Sequence, residues 1–507
     1  MRIAVTGVAA WTAAGDLDAL AALVDADGRA FTDTPPYPTD GLSTPLAGCI
    51  PDLERDRPAE TLLLEVVCQA LGEAGPCEGR TGLVVGTSSG NVCGPWERWH
   101  RAVLAGEPAD EAGTGRDAPT HAVARALGLD GPTATLSVAC VSGTAVLAVA
   151  EAWLHEGRCE RVVAAGVDAV SLFVHAGFSG LGALTRSLPR PFEDDRDGLL
   201  LGEGAAALVL EPATEGSRIF LAGTGLSADA VHMTAPDRHA GGAMRALRSA
   251  MERAGTGPDD IHTVSVHGTG TPFNDAMEAI ALDGVFGRPM PKQLVKRAIG
   301  HTMGAAGAIE AALAVASLRE RPGAIASMSS AFGGMNACAV LSTVPGPPVP
   351  RHEVRADAPV HSDGDLSRAW PDAPIAAKRG NATVRAALAT LHDLVAVSGP
   401  LPTGTALVLS TRTGCRATDL RYHERLVAEG AGSVSRLQFT YTVPAAPICE
   451  ASIQLGLQGP LLALLGSPDD GEQLAADLVR HGHAPVAIAV DVEEGATRFA
   501  ARQFRRG

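Results

Sequence analysis

Long hydrophobic runs are missing from this chain. No apolar stretch approaches the roughly 18 residues that a membrane-spanning helix requires, so no membrane partner is expected. The opening, MRIAVTGVAAWTAAG, reads as a strand followed by a Gly-containing turn. It lacks the small-residue cleavage pattern of a secretory leader, and the expected location is the cytoplasm. Paired cysteines at metal spacing are missing as well. The nine cysteines are scattered, without CxxC pairs or Cys/His clusters, and their number is odd. That pattern predicts reduced thiols, no disulfide framework and no metal site. Positive charge is short: 41 Lys and Arg against 57 Asp and Glu leave a formal net charge of −16. Nucleic acid is thereby excluded as the main partner, whereas an acidic protein would need only a local basic patch. Lysine is almost absent. Only Lys292, Lys296 and Lys378 stand against 38 arginines, so a retained lysine is a candidate for specific chemistry.

What is present describes a large globular interior. With 507 residues, 46 % of them hydrophobic, the chain is too long for one small core and predicts two or three packed units. Through residues 1–345, short β-rich runs such as GLVVGTSS (82–89), RVVAAGVDA (161–169), AAALVLEP (205–212) and HTVSVHGTG (262–270) alternate with helical stretches such as 59–75 and 242–255. The alternation predicts layered α/β architecture, and strands without polar–apolar alternation predict sheets covered on both faces. Around residues 343–380 the texture turns to Pro, Asp and Arg without periodicity, which reads as a linker or surface segment. Beyond it lies a faint repeat: ALVLSTRTGC (406–415) echoes GLVVGTSSGN (82–91), and SIQLGLQGP (452–460) echoes ARALGLDGP (124–132). Laying Gly131-Pro132 on Gly459-Pro460 places Cys140 on Pro468, so the second copy keeps the framework without the thiol. The organisation expected is a domain over 1–345, a linker or surface segment over 346–400 and a truncated half-domain over 401–507.

Three Gly-flanked segments carry the candidate chemistry. TLSVACVSG places Cys140 between a β-rich run and a helical one. VSVHGTGTPFNDAMEA holds His267, and VKRAIGHTMGAAGAIEA holds Lys296, His301 and Glu310. A lone cysteine or histidine is usually core, but glycines permit close backbone approach of the kind a pocket wall needs. A thiol at a strand end with two such histidines makes a nucleophilic site.

These segments, in this order, resemble the Cys-His-His signature of β-ketoacyl carrier-protein synthases of the thiolase superfamily. RPFEDDRDGLLLGEGAAALVLE (190–211), AGFSGLGAL (176–184) and SSAFGGMNACAVL (329–341) resemble further family segments. The resemblance implies a thiolase-like layered αβαβα fold of two duplicated half-domains, here with a C-terminal partial α/β repeat. It implies no cofactor, and a phosphopantetheine-bound acyl carrier protein as partner. By the same resemblance Cys140 takes the acyl group, as a thiolate favoured by the helix start, while His267 and His301 serve decarboxylation and condensation as donors or bases. Lys296 with Glu310 sets the local electrostatics. The amides of Cys140 and Phe332 form the oxyanion hole, and Phe178, Phe332, Thr269 and Thr271 line the substrate channel. Asp275 and Glu278 are expected to anchor the HGTGT loop.

The chain departs from the family where Asn274 stands in place of a glycine and Ser330-Ala331 precede Phe332 in the closing loop. The function expected is decarboxylative condensation on carrier thioesters in polyketide or other specialised-metabolite synthesis. A chain-releasing cyclase on the same fold, and a non-catalytic chain-length or scaffold subunit, stay open. The C-terminal half-copy is expected to stand in for the family's usual dimer partner in cis.

Overall fold

A computed structural model describes residues 1–493 and 495–507. Most of its strands fall into three groups. The first group is β1 (Ile3–Thr12), β2 (Thr81–Gly86), β3 (Thr133–Leu136), β4 (Arg161–Asp168) and β5 (Gly204–Pro212). The second is β6 (Phe220–Ala228), β7 (Ile261–Ser265), β8 (Lys292–Gln293), β9 (Ala324–Ser330) and β10 (Met335–Ser342). The third is β11 (Val354–Ala356), β12 (Val360–Ser362), β13 (Ala406–Thr411), β14 (Leu461–Leu465), β15 (Val486–Asp491) and β16 (Phe499–Arg506).

Each group pairs in the same order. In the first, β1 runs antiparallel to β5 and β5 to β4, while β4, β2 and β3 are parallel neighbours. In the second, the order β6, β10, β9, β7, β8 repeats that pattern. In the third, the short β11 and β12 both pair with β16, followed by β15, β13 and β14. The duplicated half-domains are therefore present, and the partial repeat brings a third sheet of the same topology.

The central strands read as continuous apolar runs because helices cover both faces. All eight residues of β4 are buried, and so are the eight of β10. Among the helices that cover the sheets are α1 (Pro58–Ala74), α2 (Ser142–His155), α3 (Ala306–Glu320), α4 (Ala382–Ser398) and α5 (Pro468–Arg480). Helices α2 and α3 meet at glycines. A Cβ on Gly143 would come within 2.6 Å of the Ala308 amide, and one on Gly307 within 2.6 Å of the Thr144 amide. Only glycine allows two buried helices to approach that closely.

The segment 346–400 carries more structure than its composition predicts. Rather than a bare linker, it supplies edge strands β11 and β12 and the largely buried helix α4. Three-residue strands are too short to imprint a period on the sequence; their place comes from pairing with β16. The third sheet joins the first edge to edge. Strands β3 and β14 pair antiparallel, Leu136 opposite Leu464 and Thr135 opposite Leu465, and the Ser137 amide donates to the Ala463 carbonyl at 2.9 Å.

Candidate active site

Strand β3 ends two residues before a single 3₁₀ turn, Ala139–Val141, that leads into α2. Ala139 adopts φ +51°, a left-handed conformation that costs a residue with a Cβ about 1 kcal/mol. Ser142 holds the turn: its hydroxyl donates to the Ala139 carbonyl at 2.6 Å and accepts from the Val138 amide at 3.0 Å. The Ser-Gly pair after the thiol is thus mechanical. Ser142 ties the turn, and Gly143 seats the helix start against α3. The second half-domain repeats the device at Met303–Ala305, where Met303 also takes φ +51°. The third sheet does not. There Ser467 opens α5 as an ordinary extended cap at φ −79°, with a reciprocal Ser467–Asp470 capping box.

Cys140 lies at the helix start and is 9 % exposed. Its sulfur is 3.1 Å from His301 Nε2. The Met303 amide donates to His301 Nδ1 at 3.2 Å, so Nδ1 is the acceptor nitrogen and the neutral ring carries its proton on Nε2. His301 therefore donates toward the sulfur. The His267 ring stands perpendicular to that of His301 with centroids 5.2 Å apart. Its loop is fixed by a buried carboxylate: Glu278 accepts the His267 and Gly268 amides, both at 2.7 Å. Asp275 accepts the Phe192 amide at 2.8 Å and the Gly270 amide at 3.2 Å. Both acids act on backbone, as anchoring of the HGTGT loop requires.

Behind these groups Lys296 and Glu310 form a buried ion pair, 3 % and 0 % exposed at the side chain. They do not line the cavity; their influence is electrostatic. Burial holds both histidines well below their ordinary range, and the Lys296 charge adds to the effect, so both rings are neutral. The thiolate expected from the helix start is not the resting state. Burial pushes the Cys140 thiol up to about 12, against the downward pull of Lys296. The sulfur waits as a thiol, surrounded by groups that favour its ionised form: the Lys296 cation, the Nε2–H of His301 and the helix start.

Cys140, His267, His301, Phe178, Phe332, Thr269 and Thr271 all open onto one cavity of about 480 Å³. The two threonine hydroxyls are 2.9 Å apart on its wall. The Cys140 amide is directed at its own sulfur, and the Phe332 amide makes no loop hydrogen bond among the described residues. Phe178 stacks on Phe332 with centroids 6.1 Å apart and meets Phe439 edge-on at 5.5 Å. Phe439 belongs to the C-terminal region and fills the space over Gly177, where a Cβ would come within 2.2 Å of its ring.

Two residues of this site were not legible in the sequence. Asp168, fully buried, accepts from Thr87 Oγ1 (2.8 Å) and from the amides of Ser88 (2.9 Å), Ser89 (2.8 Å) and Gly304 (2.7 Å), tying both half-domains beneath the histidine loop. An acid closing the apolar run RVVAAGVD was its one visible signal. Phe439 had none, because its role depends on contact with a segment some 260 residues away in the chain. Among the described residues no cluster of side chains is suited to hold a metal ion, and no helix is long and apolar enough to cross a membrane.

The beta-ketoacyl synthase N-terminal domain matches residues 46–216 and the C-terminal domain of the same family matches 219–325, together more than half of the chain. The chain belongs to the β-ketoacyl synthase family, of the thiolase superfamily. It is 33 % identical over 219 residues to 3-oxoacyl-[acyl-carrier-protein] synthase 2 of Staphylococcus aureus, which covers 40 % of this chain and 54 % of the relative. The chain thus spans about half the length of the curated relatives it matches. Among solved structures, a β-ketoacyl synthase from Burkholderia phymatum STM815 aligns with TM-score 0.61 and 27 % identity over 68 % of this chain and 99 % of its own. The PfaC keto synthase–chain length factor aligns over the whole of this chain and 78 % of its own, with TM-score 0.77. At 17 % identity that likeness is one of fold. The family matches end at residue 325, and the third sheet lies beyond them.

Proposed function

We propose that this family member is a ketosynthase-type acyltransferase that takes an acyl group from a carrier-protein thioester onto Cys140 and condenses it, with loss of carbon dioxide, with a malonyl-type extender. The observation that carries the reading is the Cys140 Sγ–His301 Nε2 contact of 3.1 Å inside the shared cavity. Cys140 sulfur attacks the thioester carbonyl; the carbon–sulfur bond to the carrier breaks, and the carrier leaves as a thiol with the proton lost by Cys140. The tetrahedral oxyanion is held by the amide N–H groups of Cys140 and Phe332. In the second half-reaction the extender loses carbon dioxide, and its enolate oxygen is stabilised by the N–H groups of His267 and His301. The enolate carbon then attacks the acyl-cysteine and releases the sulfur. Neutral imidazoles suit this task, since they donate without competing for the proton. Lys296 favours every anion that forms nearby.

The third sheet is proposed to serve as the synthase's partner half in cis. Its repeated strand order, its edge pairing with β3, its ordinary cap at Ser467 and the Phe439 contact on the cavity wall support this. Light scattering is expected to give the monomer mass of 51.8 kDa. A tight dimer joined through β3 would overturn the assignment.

The direct test of the reaction is intact mass after incubation with acyl thioesters. A mass gain lost in Cys140→Ala is expected, followed by its discharge into a two-carbon-longer product only when a malonyl thioester is present. Discharge without malonyl thioester would instead select the cyclase, and no adduct with any donor would select the scaffold subunit.

A further inference from the structure

The seam between the first and third sheets has an unusual lining. At one end His100, on the helix Pro95–Leu104, places Nδ1 2.9 Å from Nδ1 of His423, on the helix Arg416–Glu429. These helices follow β2 and β13, which hold equivalent places in their sheets. At the other end His155, the last residue of α2, faces His481, which caps α5, with ring centroids 5.5 Å apart. Helices α2 and α5 follow β3 and β14 and are likewise equivalent. Each of these helices meets its topological counterpart, and so do strands β3 and β14, which pair antiparallel with Leu136 opposite Leu464. The three contacts mark one pseudo-twofold axis. His483 extends the second pair; its side chain is 3 % exposed, and neither ring nitrogen has a hydrogen-bond partner among the described residues.

We propose that this seam is a proton-operated joint, opened by acid through charging of the histidine pairs on its axis. Two Nδ1 atoms 2.9 Å apart need one donor and one acceptor, so the His100–His423 contact survives only while at least one ring is neutral. The groups that face this pair are Glu424, Arg416 and Arg101. The second cluster faces Glu151, Glu156, Arg253, Arg480 and the chain's N-terminal amine. Arg253 is held there by the His481 carbonyl at 2.6 Å and by Glu151 at 3.1 Å.

Burial sets the sign. All five histidines are held below the ordinary histidine value of 6.5, His481 to about 4 and His423 to about 3. An open seam therefore binds more protons than a closed one, and the closed state loses stability as the pH falls below about 6.5. Three buried carboxylates on the seam act in the opposite direction. Burial raises Glu97 to about 7 and Asp477 to about 6, and raises Asp419 as well. The histidines outnumber these acids, so opening is expected to take up protons on balance. Because Phe439 packs on Phe178, a lining residue of the cavity, an open seam also removes the support behind that part of its wall.

Hydrogen–deuterium exchange on the full chain tests this, with protection referred to intrinsic rates at each pH. The Ser137 amide and the amides of Leu461–Leu465 report the seam; Val162–Val167 of β4 report the catalytic core. Between pH 6.5 and 5 the seam is expected to lose protection by about tenfold or more while the core holds. The double variant His423→Gln, His481→Gln, which keeps size and hydrogen bonding without titrating, is expected to cut that loss to about threefold or less over the same range. Simultaneous loss at seam and core would overturn the proposal, as would an unchanged loss in the double variant. The half-buried His155→Gln gives a gentler variant with the same expectation of a reduced loss.

Discussion

At the residue scale, the site sets a buried thiol beside one cation, Lys296, and a hydrogen-bond donor, His301. Because burial raises Cys140 to about 12, its thiolate fraction grows tenfold with each pH unit through the neutral range. Iodoacetamide labelling of Cys140, followed by peptide mass, is expected to rise about tenfold per unit from pH 7 to 9 without a plateau. A plateau near pH 7 would show that the helix start and Lys296 outweigh burial. Lys296 invites a second test. Lys296→Met leaves Glu310 buried without its partner, and breaking a buried pair this way costs about 3–5 kcal/mol. Urea unfolding is expected to show that loss, and Lys296→Met with Glu310→Met to recover most of it. Acylation of Cys140 should stay depressed in both variants, because the nearby positive charge is gone. Recovery of acylation in the double variant would mean that Lys296 serves packing alone.

At the scale of elements, two buried helices carry the strained turns that aim the thiol and the histidine loop. Ala139 and Met303 share φ +51°, and the tertiary contacts that hold them are the Ser142 bonds and the Asp168 bond to the Gly304 amide. Gly143→Ala would drive a methyl within 2.6 Å of the Ala308 amide and 2.7 Å of the Gly304 carbonyl. Backbone cannot yield as a side chain does, so a loss of at least about 1–3 kcal/mol in urea unfolding is expected. Acylation should fall as well, through displacement of Met303 and the His301 ring it anchors. The motifs around these turns were readable from the sequence, since Gly and Ser punctuate them. The anchoring acid Asp168 was not, because one aspartate at a strand end looks the same whether it meets water or four donors.

At the scale of the whole molecule, the third sheet is held by polar as well as apolar contacts. Arg116 donates to Asp419 at 2.6 Å and to the Thr442 carbonyl at 3.0 Å, joining regions 303 residues apart through side chains that are both buried. Asp419→Asn leaves the Arg116 cation without its counter-charge and is expected to cost about 3–5 kcal/mol. Limited proteolysis should then release the C-terminal region before the catalytic core unfolds. Unchanged protection would place the strength of the seam in its aromatic cluster of Phe173, Tyr422 and Phe439 instead. Helix α5 shows why the third sheet needs no further cover. Its inner face, Leu474, Ala475, Leu478 and Val479, is buried, while Asp469, Asp470 and Gln473 meet solvent. Helix α2, enclosed between two sheets, is buried from Ser142 through Leu154.

The order of amino acids alone specifies the layered α/β class and the Gly-flanked thiol and histidines, while the duplicated half-domains and the channel residues were legible only through the resemblance to the ketosynthase family. Apolar strand runs, helical periodicity and Gly-flanked Cys and His are local signals, and each survives being read alone. The protonation state of the thiol belongs to the tertiary structure, since burial is a property of what surrounds a residue. So does the folding of 346–400 into the third sheet, because strands of three residues take their place from a partner strand. The Phe439 support behind Phe178 and the histidine pairs on the axis are tertiary too. Both arise between segments hundreds of residues apart, where no spacing in the chain records the contact.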